Sequence, residues 1–102
     1  MTTIKIIGSS CGFESKIRVY CVDQFFMNVE VISDCEMASK WGKALRYLDW
    51  RKALGRISNS PVFEAAEKYL EHPSCLLPVA LLKALEVELG ASTASDMLLK
   101  FD

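Results

Sequence analysis

Four cysteines and a single histidine are the side chains of this sequence with the widest chemistry. The thiols stand at positions 11, 21, 35 and 75, and His72 precedes the last by three residues. A thiolate can attack a disulfide or bind a soft metal, and an imidazole is the commonest nitrogen ligand. Thiolate ligation joined by imidazole suits zinc or an iron–sulfur cluster. No two cysteines have the C-x-x-C spacing of a zinc ribbon or a thioredoxin-type motif. A shared site must therefore be assembled by the fold from segments distant in the chain.

The elements that would carry these residues fall into two halves. Thr2–Ile7 is short and β-branched, and Gly8-Ser9-Ser10-Cys11-Gly12 after it has turn composition. From Glu14 to Val22, Ile17, Val19 and Cys21 alternate with Lys16, Arg18 and Tyr20, the period of a half-buried strand. Asp23-Gln24 makes a reversal, and Phe25–Ile32 alternates again, so a hairpin is expected within a three-stranded meander. The period then changes. Ser33-Asp34-Cys35-Glu36 has the form of a capping box, and Met37, Trp41, Ala44, Leu45 and Leu48 predict a helix ending near Trp50. Trp41 takes a core phase, whereas Trp50 is expected at the helix end, partly exposed and suited to a partner surface.

Arg51–Ile57 is ambiguous. Ser60 as N-cap and Pro61 at the first helical position open a further helix, which His72-Pro73-Ser74 breaks. A last helix is predicted over Leu76–Leu89, with Leu81, Leu82, Leu85 and Leu89 facing the core and Gly90 at its C′ position. It is apolar on most sides, which places it centrally against the sheet. Ala91–Asp102, with Met97, Leu98, Leu99 and Phe101, is expected to dock as a final strand or turn. The expected architecture is α+β: a three-stranded antiparallel sheet followed by three to four helices packed on one face.

On this map Cys11, Cys35 and Cys75 lie at the ends of elements, where exposed and functional residues concentrate. Cys21 shares the phase of Ile17 and Val19 and is expected in the core. In a meander, the loop after the first strand and the end of the third can share one sheet edge. If the last helix crosses the sheet antiparallel, its start comes there too. Unpaired N–H groups at a helix start favour a thiolate. His72 and Asp34 are the candidate fourth ligands, although His72 also suits a surface position and Asp34 the helix N-terminus.

Length and composition bound the rest. The 102 residues fit one domain, and 51% hydrophobic with 25% charged residues is ordinary for a folded chain. A net charge of −1 gives no basic excess for nucleic acid. The Met1 end lacks signal-peptide character, and no run is apolar enough to span a bilayer, so a cytoplasmic setting with reduced thiols is expected. There is no P-loop, no G-x-G-x-x-G and no G-x-S-x-G elbow. A Cys–His nucleophile pair would lack an orienting partner, so an enzymatic role has little support.

The order of these elements resembles the iron–sulfur cluster assembly scaffolds of the IscU and NifU N-terminal type. The residues that carry the likeness are Cys11-Gly12, Cys35 at a helix start, and His72 with Cys75 opening a long terminal helix, over about residues 4–89. The resemblance implies that fold and a three-cysteine site at one sheet edge. Phe13 replaces the family's aspartate after Cys-Gly, Asp34 and Glu36 replace its flanking glycines, and Pro73-Ser74 separate histidine from cysteine. Chaperone-driven cluster transfer is therefore not implied. The Cys-Gly-Phe, Ser-Asp-Cys and His-x-x-Cys elements are also similar to those of small uncharacterised proteins of anaerobic microbes, which imply no activity.

Two main readings follow. One is a metal-binding protein, a carrier or scaffold for an iron–sulfur cluster or a zinc site, with ligands from Cys11, Cys35, Cys75 and His72 or Asp34. The other is a metal-free interaction subunit that docks a protein partner or a second copy, its cysteines serving only in packing. A reversible disulfide between two of the element-end cysteines is a third, and needs Cα atoms within about 7 Å.

Overall fold

The computed structural model describes residues 1–8 and 13–102. It is an α+β fold built on a four-stranded antiparallel sheet in the order β1-β2-β3-β4. The strands are β1 (Thr2–Ile6), β2 (Ser15–Cys21), β3 (Phe26–Ser33) and β4 (Tyr47–Asp49). The helices are α1 (Glu36–Ala44), α2 (Trp50–Ala53), α3 (Pro61–Tyr69) and α4 (Leu77–Glu88), with a 3₁₀ turn at Ile57–Asn59. Ile4 faces Ile17, which faces Val31, and Val19 faces Val29, so the apolar phases of neighbouring strands coincide. Helices cover that face, where Ile17, Val19, Met27 and Val29 are buried. The other face carries Lys16, Arg18, Tyr20, Phe26, Asn28 and Tyr47, with Phe26 and Tyr47 stacked at 4.6 Å.

The fourth strand corrects the expected three-stranded meander. The first helix stops at Ala44 rather than near Trp50, and Leu48 is buried on a strand paired with Met27. In-phase apolar residues carried the helical pattern through Leu48. Pairing with the open edge of β3 satisfies the backbone of Tyr47–Asp49 instead, a tertiary contact that periodicity does not encode.

Trp41 does occupy the core, and its indole N–H donates to the Val62 carbonyl at 3.1 Å. Trp50 opens α2 and is half-buried, its indole N–H donating to the Gln24 carbonyl at 3.1 Å. Pro61 starts α3 as expected with Ser60 as N-cap, but the Ser60 hydroxyl donates to the Ala53 carbonyl at 2.7 Å rather than capping. Gly90 takes φ +75° and closes α4 in a Schellman motif, with Gly90 N–H to Val87 and Ala91 N–H to Glu86. The expected docking of Ala91–Asp102 is not found: the segment has no regular structure, and Met97, Leu98, Leu99 and Phe101 are exposed. An apolar run alone does not form a strand, because its backbone groups need a sheet edge to pair with.

Gly42 is where α1 comes closest to the sheet. A Cβ there would stand 2.6 Å from Val31 Cβ and Cγ2. Gly42→Ala gains about 1 kcal/mol of helix propensity, but overpacking a rigid β-branched neighbour costs about 1–3 kcal/mol or more. A lower urea midpoint is expected, and an unchanged or raised one would refute the close approach.

At the hairpin end, Asp23 accepts from Phe25 N–H and Phe26 N–H, both at 3.0 Å, and from the Tyr47 hydroxyl at 3.2 Å. Those bonds hold its carboxyl below the usual range, the backbone bond from Phe25 being the largest cause. Asp49 caps α2 through Arg51 N–H and takes two bonds from the Arg51 guanidinium, at 3.2 and 3.0 Å. The guanidinium bond is the main cause of its lowered pKa. Folded pKa values below the unfolded ones stabilise the protein above the ordinary carboxylate range, and that stabilisation disappears as pH falls through the folded values. Thermal melts should therefore show stability falling below about pH 4, and Asp49→Asn should lower Tm at neutral pH while flattening that acid dependence.

Candidate functional site

α4 runs antiparallel to β1, because Glu88 at its C-terminal end accepts from the Thr2 hydroxyl while Leu77 at its start lines a cavity with Ile6. The start of α4 thus reaches the edge where β1 ends, β2 begins and β3 ends. At that edge lies a cavity of about 20 Å³, lined among others by Ile6, Ser15, Cys35, His72, Cys75 and Leu77. That is room for a single water-sized occupant.

Cys35 is held there by the end of β3. Ser15 pairs with Ser33, the Ser15 hydroxyl donates to the Ser33 hydroxyl at 2.8 Å, and Ser33 Oγ in turn accepts from Cys35 N–H at 3.1 Å. Cys35, not Ser33, is therefore the N-cap residue of α1, which corrects the expected capping box. The Ser33 hydroxyl is already engaged by the strand pair and by the residue two ahead. The Cys35 thiol makes no capping hydrogen bond, so helix capping does not occupy it. Cys75 is brought in by a turn in which its N–H donates to the His72 carbonyl at 3.1 Å, with Pro73 inside the turn. Cys35 and Cys75 are half-buried, and His72 is exposed at the rim.

The structure thus brings together Cys35, His72 and Cys75. Asp34 is exposed and is absent from the cavity lining, because the last residues of β3 still alternate and Asp34 follows Ser33 on the outward side. Cys11 lies outside the described residues. The last residue of β1 before it, Ile6, and the first of β2 after it, Ser15, pair with each other and both line the cavity. Among the described residues, no group of three His, Cys, Asp or Glu side chains stands close enough to hold a metal ion.

Cys21 is exposed, against the expectation of a core residue. Its phase is that of Val19, but it ends its strand beside exposed Val22. Alternation sets the face of a residue, while the extent of the covering layer sets its burial. Sequence reasoning missed Ser15, Ser33 and Glu71, the last also lining the cavity. The serine pair had no local signal, since it depends on strand register. Glu71 was marked only by adjacency to His72. On the solvent side, Lys5 bonds Glu14 at 2.8 Å and holds that carboxyl below its ordinary pKa.

These features define a small α+β protein with two cysteines and a histidine gathered at one sheet edge. The chain belongs to a protein family of unknown function, DUF6951, which matches residues 2–101. No curated protein and no solved structure matches it. Among the described residues, no helix is long and apolar enough to cross a membrane.

Partial alkylation of the native protein, read by mass spectrometry, should label Cys21 before Cys35 or Cys75. Ser33→Ala should accelerate labelling of Cys35 and cost about 1 kcal/mol of stability. Equal rates at all three positions would contradict the burial described here.

Proposed function

We propose that this protein binds a metal centre at the sheet edge, an iron–sulfur cluster or zinc, and acts as a carrier or sensor rather than by turnover of a substrate. The observation that carries the reading is that Cys35 and Cys75, 40 positions apart in the chain, line one cavity together with His72. Cys11 is the third thiolate in this reading. Its loop joins two strand ends that line the same cavity, and a metal needs that ligand because the described residues alone supply no group of three. His72 is the better fourth ligand, since it stands at the cavity and Asp34 does not. Gathering thiolates raises mutual repulsion, and a bound cation removes it. The order of elements around the cysteines supports a kinship with the IscU and NifU N-terminal scaffolds as part of the same proposal. The cavity as it stands suits one ion, so a cluster requires the cysteine edge to open toward solvent.

The test is iron, zinc and acid-labile sulfide on protein purified without oxygen, with its visible absorption spectrum. Iron with sulfide and thiolate-to-iron charge-transfer bands, lost in Cys35→Ser and Cys75→Ser and in Cys11→Ser, is the expected result for a cluster. Zinc lost in the same three variants assigns a zinc site. Metal content unaltered by all three, or no metal in a folded protein, overturns the reading in favour of a metal-free interaction subunit.

A further inference from the structure

A second concavity lies on the helical side, away from the cysteines. It is a groove of about 320 Å³ lined by Leu54, Ile57, Phe63, Leu82, Glu86 and Ala91 among others. Its lining is mainly apolar, and Ile57 on its rim is 71% exposed. The C-terminal segment supplies the converse. Met97, Leu98, Leu99 and Phe101 are 56, 82, 77 and 99% exposed, four large apolar side chains within five positions. A run of that kind left in water marks an interaction surface.

We propose that residues 97–101 of a second copy occupy this groove, in a reciprocal exchange of C-terminal arms across a two-fold axis. Three observations favour this occupant. The arm begins where the groove ends: Ala91 is part of the lining, so in a symmetric pair each arm's root lies beside its own groove and the two can cross. The Schellman closure at Gly90 and the bond from Lys83 Nζ to Ser92 Oγ at 2.6 Å fix the root of the arm against α4. Beyond that root, Met97, Leu98, Leu99 and Phe101 stay exposed on their own chain and leave its groove unfilled.

Charge is complementary as well. Asp96 and Asp102 bracket the apolar run, and exposed Lys52 and Arg56 flank the groove segment, while Lys100 answers Glu86 in the lining. The arm contributes nothing to the protein's own core, which holds no residue beyond Leu89. It can therefore be exchanged without unfolding the domain. This inference is independent of the metal reading.

The test is the molar mass of the full chain by light scattering over a range of concentrations, beside two full-length variants. One is Leu98→Asp/Leu99→Asp in the arm, and the other is Ile57→Glu on the groove rim. All three positions are exposed, so both variants should keep the native circular dichroism. The expected result is a dimer for the parent chain and a twofold lower mass for each variant. A labelled peptide of residues 93–102 should bind the arm variant and lose binding when Ile57→Glu is added. A parent chain that is monomeric throughout overturns the exchange, even if the peptide binds, since the arm would then fold back on its own groove. A dimer that survives both variants overturns it too.

Discussion

The antiparallel course of α4 over β1 and β2 is the constraint on which the cysteine edge depends. Ala80, Leu81, Ala84 and Leu85 of that helix are buried, and they join Ile17 and Val19 of the sheet in one core. Burial of this kind stabilises by about 1.5–3 kcal/mol for each large side chain. It also leaves the helix little freedom to slide, because a core is packed as closely as a crystal. With its C-terminal end tied to Thr2 through Glu88, the helix delivers its N-terminal end to Ile6 and Ser15. Cys75 and His72 reach the cavity lined by Cys35 as a result of that placement.

The two ends of the sheet are built differently. At the cavity end, hydroxyls tie the strand ends together: Ser15 donates to Ser33, whose hydroxyl oxygen accepts from Cys35 N–H. The Cys35 thiol is not used in capping its helix, because a serine hydroxyl already takes the Cys35 N–H. At the hairpin end, carboxylates do the structural work. Asp23 ties the β2–β3 reversal to Tyr47, Asp49 ties β4 to α2, and the Arg51 guanidinium lies 3.7 Å above the Phe25 ring. Acid acts on that end through Asp23 and Asp49, and on the β1–β2 pair through the exposed Lys5–Glu14 bond.

Much of the fold was legible in local pattern. The alternation of Ile17 and Val19, and of Met27 and Val29, announced paired strands, and Ser60-Pro61 and Gly90 marked true helix boundaries. The failures share a cause. Leu48 continued a helical pattern but sits on a strand because the edge of β3 was open to it. Cys21 continued a buried pattern but lies past the start of β1, which pairs no further than Val19. The apolar tail promised an element of the domain but takes no regular structure on it. Each error concerns what lies opposite a residue, which the neighbouring residues in the chain do not record. The site was legible in the same partial way. Placing Cys35 and Cys75 at the starts of helices required only period and capping chemistry, while excluding Asp34 required knowing which way β3 was facing as it ended.

By itself, the amino-acid sequence determined which residues have reactive side chains, which stretches alternate with period two or 3.6, and the helix boundaries at Ser60-Pro61 and Gly90. Those properties are local: they depend on side-chain type and on backbone sterics within a few residues. Tertiary structure alone decided that β4 joins the sheet, that α4 lies antiparallel on β1, and that positions 35, 72 and 75 share a cavity while Asp34 faces water. Those outcomes follow from burying one common apolar surface against another, a free energy that belongs to the whole packed arrangement and not to any single segment of the chain.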